Sequence, residues 1–229
     1  SREFLATHPV FKSFHKKIAV ITNATLLSRA DVRHELAEAD WVSVSVDAVT
    51  LDVWKKINRP HKRLHRDAIH DGIMTFSRAF DGELTTETML VRGVNDYQDE
   101  LENIAHFILD IQPSKSYISI PIRPPAERNV MPPSESSVNL AYQIFANRDI
   151  DVEYLIGYEG NSFAYTGDIG KDVLSIASVH PIREEGLCEI LRKADKDWTV
   201  IKRLIIQGRL VDVDYQGKTY YVRKFGTMN

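Results

Sequence analysis

The chain has 229 residues, 43% of them apolar and 27% charged, with a net charge of −3. This balance excludes a disordered chain and supplies apolar material for one large domain, or a medium one with a small companion. No apolar run approaches the length of a membrane span, no secretory leader is legible, and a single cysteine, Cys188, excludes both an intramolecular disulfide and a thiolate metal site built from this chain alone. A reducing, cytoplasmic setting away from membranes is expected.

In chain order, short β-branched runs bounded by polar breakers read as strands, and stripes of helical period lie between them. Lys17 to Thr22 is the first strand, ending at Asn23, and Trp41 to Val46 the second, ending at Asp47. A helix from His65 to Phe80 presents Ala68, Ile69, Ile73 and Phe76. Leu84 to Leu90 is the third strand, followed by a helix with Leu101, Ile104, Ala105 and Ile108 on one face, Asn95-Asp96 as cap candidates and Pro113 beyond its end. Tyr117 to Ile122 is the fourth strand, Ser134 caps a helix bearing Val138, Ala141 and Phe145, and Val152 to Ile156 is the fifth strand. A spacing of roughly 25 to 40 residues per strand–helix unit is what parallel βα crossovers need, so a right-handed βα array is expected over 1–157.

A polar, glycine-containing linker over 158–167 leads to a different pattern. Val173 to Val179, Glu184 to Leu191 and Trp198 to Gln207 read as three short helices. Leu210 to Tyr215 and Lys218 to Arg223, joined by Gln216-Gly217, read as a hairpin, so a winged helix is expected over 168–229. Eleven Lys and Arg against nine acids give this end a surplus of two positive charges, while the remainder carries −5. Neither figure is a nucleic-acid footprint, and any such contact would be local.

Ligands of a parallel βα array sit beyond the carboxyl ends of its strands. Thr22 and Asn23, Ser45 and Asp47, Glu87 with Met89 and Val91, and Ile120 to Arg123 occupy those positions. They form a polar rim without a Ser/His/Asp or Cys/His set and without a glycine-rich phosphate loop. Each has a structural alternative. Asp47 suits a ligand or a cap for the helix starting near Thr50, and Asn23 a ligand or a left-handed turn. Arg123-Pro124-Pro125 suits an anion or a rigid strand exit. His61, His65 and His70 have basic neighbours and no cysteine or acid at ligand spacing, which speaks against metal. Cys188, beside Leu187 and Leu191, reads as a core residue.

Taken together, several motifs carry a resemblance. Ala19-Val20-Ile21-Thr22-Asn23-Ala24-Thr25-Leu26-Leu27 resembles the "TNG(S/T)LL" strand end of radical S-adenosylmethionine (radical SAM) enzymes, and Val44-Ser45-Val46-Asp47-Ala48 the "SLDA" strand after it. Ile57-Asn58-Arg59-Pro60-His61, then Glu87 to Asp96, then Ile122-Arg123-Pro124-Pro125-Ala126-Glu127 continue the series in order. The chain is similar to the iron–sulfur oxidoreductase group related to the radical SAM enzymes of wybutosine synthesis, some of which carry a carboxyl-terminal winged helix. The resemblance implies an α/β fold class: a partial (βα) TIM-barrel-like radical SAM domain over 1–157, a linker, and a winged-helix domain over 168–229.

The resemblance further implies S-adenosylmethionine as cofactor and a 4Fe–4S cluster, hence an iron–sulfur, metal-binding oxidoreductase. Asn23, Ser45, Asp47 and the backbone around Val91 and Ile120 would line the S-adenosylmethionine pocket, while Arg59, His61, Glu87 and Arg123 would face the substrate, with RNA or a protein as candidates. The family's CxxxCxxC loop and "GEPT" strand do not occur here, and Ala24 stands where the family has glycine. Cluster ligands would therefore lie upstream of Ser1, the chain would hold no metal of its own, and it would be inactive alone. The expected function is the S-adenosylmethionine- and substrate-binding portion of such an enzyme. The competing one is a non-catalytic nucleic-acid-binding or regulatory protein working through Lys202, Arg203 and the wing. A strand Lys17 to Thr22 left at an open edge would favour self-association, partly relieved if Phe4, Leu5, Val10, Phe11 and Phe14 fold back over it.

Overall fold

A computed structural model describes residues 17–127, 129–155, 168–179, 181–215 and 217–224. The amino-terminal Phe4 to Phe14 segment, the linker over 158–167 and Gln216 lie outside the described residues. The chain divides into two compact units, one comprising residues 1–121 and 130–156, the other 122–129 and 157–229.

The first unit is built on strands β1 (Ala19–Thr22), β2 (Trp41–Ser45), β3 (Glu83–Met89), β4 (Lys115–Ser119) and β5 (Val152–Leu155), all parallel and ordered β1-β2-β3-β4-β5. Helices α1 (Ala30–Leu36), α2 (Leu51–Asn58), α3 (Arg66–Ala79), α4 (Gln98–Ile111) and α5 (Glu135–Ala146) fill the crossovers. Alternation along a strand separates two faces. Val42, Val44, Val46, Leu84, Ile118 and Val152 point to the face where Ile69, Ile73, Phe76, Leu101, Ile104, Ile108, Ala141 and Phe145 pack in one core. Two threonines share that apolar face because their hydroxyls are satisfied: Thr86 donates to Ser116 Oγ at 2.9 Å and Thr88 to the Val46 carbonyl at 2.9 Å. Ser43, Ser45, Thr85, Glu87, Tyr117 and Ser119 point to the opposite face, where the register sets Ser45 beside Glu87 and Glu87 beside Tyr117.

Several expectations need correction. The helix α1 is too short, at 7 residues, to announce itself by periodicity, whereas α2 begins at Leu51, where a helix starting near Thr50 was expected. Of the expected stripe of α3, Ile69, Ile73 and Phe76 are buried, but Ala68 is exposed and Gly72 completes the buried face instead. Asn95 and Asp96 do not cap α4, whose N-cap is Tyr97. Ser134 does cap α5, accepting from the Ser137 N–H at 3.1 Å. β4 begins at Lys115 rather than Tyr117 and ends at Ser119, and Ile122 with Arg123 belongs to the second unit.

That second unit holds α6 (Ile169–Val179), β6 (Ile182–Arg183), α7 (Glu184–Lys193), α8 (Thr199–Ile206), β7 (Leu210–Tyr215) and β8 (Lys218–Arg223), with an antiparallel sheet ordered β6-β8-β7. Its core gathers Val173, Leu174, Leu187, Ile201, Leu204, Leu210 and Tyr221. The short strand β6 was not foreseen; two residues give no alternation to read, and its pairing of Ile182 with Tyr221 exists only in the folded sheet. The Tyr220 hydroxyl donates to the Ile122 carbonyl, tying 122–129 to this unit. Cys188 is exposed and not a core residue, since Leu187, Ile190 and Leu191 form the buried stripe of α7 and position 188 turns away from it.

Candidate functional site

The carboxyl ends of β2, β3 and β4 converge on Asp47. Its Oδ1 accepts from the Met89 backbone N–H at 3.0 Å and its Oδ2 from the Asn58 side-chain amide at 3.4 Å. Burial pushes its carboxyl up to about 6; the Met89 N–H and the Asn58 amide oppose that rise and the nearby Glu87 charge adds to it. Glu87, from β3, accepts at Oε1 from the Ser119 hydroxyl of β4 at 2.8 Å. Two carboxyl groups and two hydroxyls, those of Ser45 and Ser119, thus stand at neighbouring strand ends. Such a set suits an ammonium or sulfonium charge and sugar hydroxyls, each of which can donate to a carboxylate and accept from a hydroxyl.

Two residues with no predicted role in the site hold it in shape. The Asn95 side chain is fully buried, donates to the carbonyls of Asp47 at 2.8 Å and Met89 at 2.9 Å, and accepts from the Val91 N–H at 2.7 Å. One amide therefore ties together the loops that follow β2 and β3. Glu100, also fully buried, accepts from the N–H groups of Val49 at 2.6 Å and Thr50 at 3.0 Å through Oε1, while its Oε2 has no hydrogen-bond partner among the described residues. It thereby performs the capping of α2 that the sequence offered to Asp47, whose carboxyl bonds elsewhere; the α2 N-cap, Thr50, makes no side-chain cap of its own. The sequence signal for Glu100 is its place beside the apolar stripe of α4, where an acid must find a partner.

The other predicted positions separate. Asn23, Ser45 and Asp47 line one recess of about 20 Å³, room for roughly one water molecule, together with Trp54, Asn58 and His70. Asn23 is exposed and closes its own turn, its Oδ1 accepting from the Thr25 N–H at 3.2 Å and hydroxyl at 2.9 Å. Beside it, Ala24 adopts φ 60° with its methyl buried, the left-handed conformation that glycine takes without strain. Val91 spends its N–H on Asn95 and its carbonyl on the N–H groups of Val94 and Asn95. Ile120 packs on the core. Arg59 and His61 line a separate groove, and Arg123 lies in the second unit.

An iron–sulfur cluster does not fit this donor set. The expectation of an iron–sulfur, 4Fe–4S, metal-binding chain is overturned, because among the described residues no group of three or more His, Cys, Asp or Glu could hold a metal ion and the one cysteine in the sequence is exposed on α7. A cluster with three thiolate ligands has no place in this chain. No described helix is long and apolar enough to cross a membrane.

The parallel sheet with helices on one face is an α/β fold. It resembles a domain of pyruvate-formate lyase-activating enzyme from Bacteroides vulgatus with a TM-score of 0.51 at 17% identity, over 62% of this chain and 83% of that one. The chain belongs to the UPF0026 protein family: it is 36% identical over 217 residues to UPF0026 protein MJ1312 of Methanocaldococcus jannaschii, covering 93% of this chain and 67% of that protein. A UPF0026 protein of Synechocystis is 38% identical over 117 residues, covering 50% of this chain and 43% of that relative. The chain thus spans about two thirds of one relative and less than half of the other. No protein-family model matches it.

Proposed function

We propose that this chain is the S-adenosylmethionine- and substrate-binding portion of a radical-SAM-like protein. The observation that carries the reading is Asp47: a carboxyl group partly buried at a strand end, raised to about 6, next to a second carboxylate and two hydroxyls. A carboxylate kept in that environment gains from a cationic ligand what burial takes from it. Ser45, Asp47 and Glu87 would orient the ligand, and Asn95 would keep Asp47 in register with Met89. S-adenosylmethionine would supply group-transfer chemistry that no side chain here provides. The ordered motifs from Ala19 to Glu127 support placing the chain near the wybutosine-synthesis group, and the order of helices and strands in the second unit supports reading it as a winged helix over 168–229.

Calorimetric titration of the chain with S-adenosylmethionine tests the proposal. Saturable binding is expected, weakened about tenfold by Asp47→Asn with an unchanged circular dichroism spectrum. Absence of saturable binding, or an Asp47→Asn affinity equal to the parent's, sinks it.

A further inference from the structure

The segment from Val53 to Arg66 contains six Lys and Arg, two His and no acid, in a chain whose net charge is −3. It comprises most of α2, the loop after it and the first residue of α3. The structure concentrates part of this charge around a groove of about 380 Å³ lined by Trp54, Lys55, Arg59, His61, Lys62 and Leu64. That volume lies within the range of small-molecule sites.

Three features make the groove more than a charged surface. First, two of the cations are not consumed by ion pairs: among the described residues no ion pair involves Lys55 or Lys62, whereas Arg66 is paired with Asp67 and Lys56 donates to the Gly93 carbonyl at 3.2 Å. Second, the loop has a fixed path. Arg59 takes φ 43° as the left-handed C-cap of α2, the Leu64 N–H donates to the His61 carbonyl at 2.9 Å, and the Arg63 N–H donates to His61 Nδ1 at 3.3 Å. Third, the groove adjoins the Asp47 site. Trp54 lines both cavities, and Asn58, one residue before Arg59, donates to the Asp47 carboxylate. A cationic groove and an anionic strand end thus share one lining residue, Trp54.

We infer that this groove is an anion site that takes the phosphate group of a phosphate-bearing ligand, through the Lys55 and Lys62 ammonium groups with Arg59 beside them. Phosphate oxygens accept several hydrogen bonds at once, which suits a groove lined by ammonium donors from a helix and from the loop after it. Pro60 and the part of Leu64 left outside the core line the groove beside these cations. A free phosphorylated metabolite and the backbone of a nucleic acid present the same group, and the experiment separates them. The inference stands on the groove alone and does not require S-adenosylmethionine at Asp47.

The test is NMR titration of the whole chain at constant ionic strength with inorganic phosphate and, separately, with a single-stranded dodecanucleotide. Amide shifts of 55–64 are followed, and S-adenosylmethionine binding is measured alongside. Saturable shifts confined to this segment are expected. Lys55→Gln with Lys62→Gln should weaken binding about tenfold, while Lys171→Gln with Lys193→Gln, which removes the same charge from the second unit, should leave it unchanged. Comparable affinity for both probes identifies a small phosphorylated ligand. An oligonucleotide bound far more tightly, with a steep salt dependence, identifies a nucleic acid. Shifts that do not saturate, or equal weakening by both double variants, would overturn the site. Because Asp47→Asn should leave phosphate binding intact, failure of the groove and failure of the S-adenosylmethionine reading are seen separately.

Discussion

The Asp47 carboxylate accepts a hydrogen bond from the backbone N–H of Met89, 42 residues along the chain, at 3.0 Å. This bond joins the ends of two adjacent parallel strands and fixes where the raised carboxyl group points.

It has a consequence for pH. Asp47 is raised from 3.8 to about 6 in the folded chain, so its stabilising contribution is fully present below pH 3.8 and is lost as pH rises through about 6. The ionised form costs at most about 2–3 kcal/mol at neutral pH, less after allowance for its partial exposure. A cationic ligand acts in the opposite sense, binding the ionised form. S-adenosylmethionine affinity should therefore rise between pH 5 and 7, by about tenfold, and stay flat in Asp47→Asn. Chemical denaturation of the free chain over the same range should show that Asp47→Asn removes part of the pH dependence. A pH-independent affinity in the parent chain would count against a titrating Asp47.

Asn95→Ala leaves one buried group, the N–H of Val91, and two partly buried ones, the carbonyls of Asp47 and Met89, without their partner. At about 1–3 kcal/mol for an unsatisfied buried group, partly relieved by water entering the space, a loss of about 2–4 kcal/mol is expected. Urea denaturation measures it. A change below about 1 kcal/mol would mean the loops hold without the clamp.

Glu100 invites a pair of substitutions. Glu100→Gln keeps an oxygen for the Val49 and Thr50 N–H groups and places an amide where Oε2 now has no hydrogen-bond partner among the described residues. Glu100→Ala removes the acceptor and opens a cavity, at a cost of about 2–4 kcal/mol. The alanine variant should be clearly the less stable in thermal denaturation; equal melting temperatures would remove Glu100 from the capping of α2.

Gly72 lies where α3 crosses the turn that follows β1. A Cβ there would press into the Leu27 carbonyl and stand 2.6 Å from the Ser28 nitrogen, so backbone must shift to admit it. Helix propensity favours alanine over glycine by about 1 kcal/mol, but overpacking against backbone costs about 1–3 kcal/mol. Gly72→Ala should lower stability despite its location inside a helix. A melting temperature above the parent's would show that the turn yields freely.

Much of the fold is written locally. The buried stripe of Leu101, Ile104, Ala105 and Ile108 and the alternation from Val42 to Val46 depend on periods of 3.6 and 2, which any window of sequence exposes. The strand ends follow from them, and so does the neighbourhood of Asn23, Ser45 and Asp47. What a polar side chain does at such an end is not local. Asp47 meets Met89, and Glu100 meets Val49 at a separation of 51 residues, because parallel pairing brings successive loops side by side. Asn95 reads equally well as a cap or a clamp until that register exists. Arg123 has the sequence of a strand exit, yet 122–129 belongs with the second unit, where Tyr220 holds the Ile122 carbonyl. By itself the sequence determined the strands, the stripes and the polar rim, since these are repeats along the chain. Only the tertiary structure decided which carboxylate caps, which one is left raised at the site, and which arginine leaves it, because a buried polar group takes its role from the partner that folding brings within 3 Å or so.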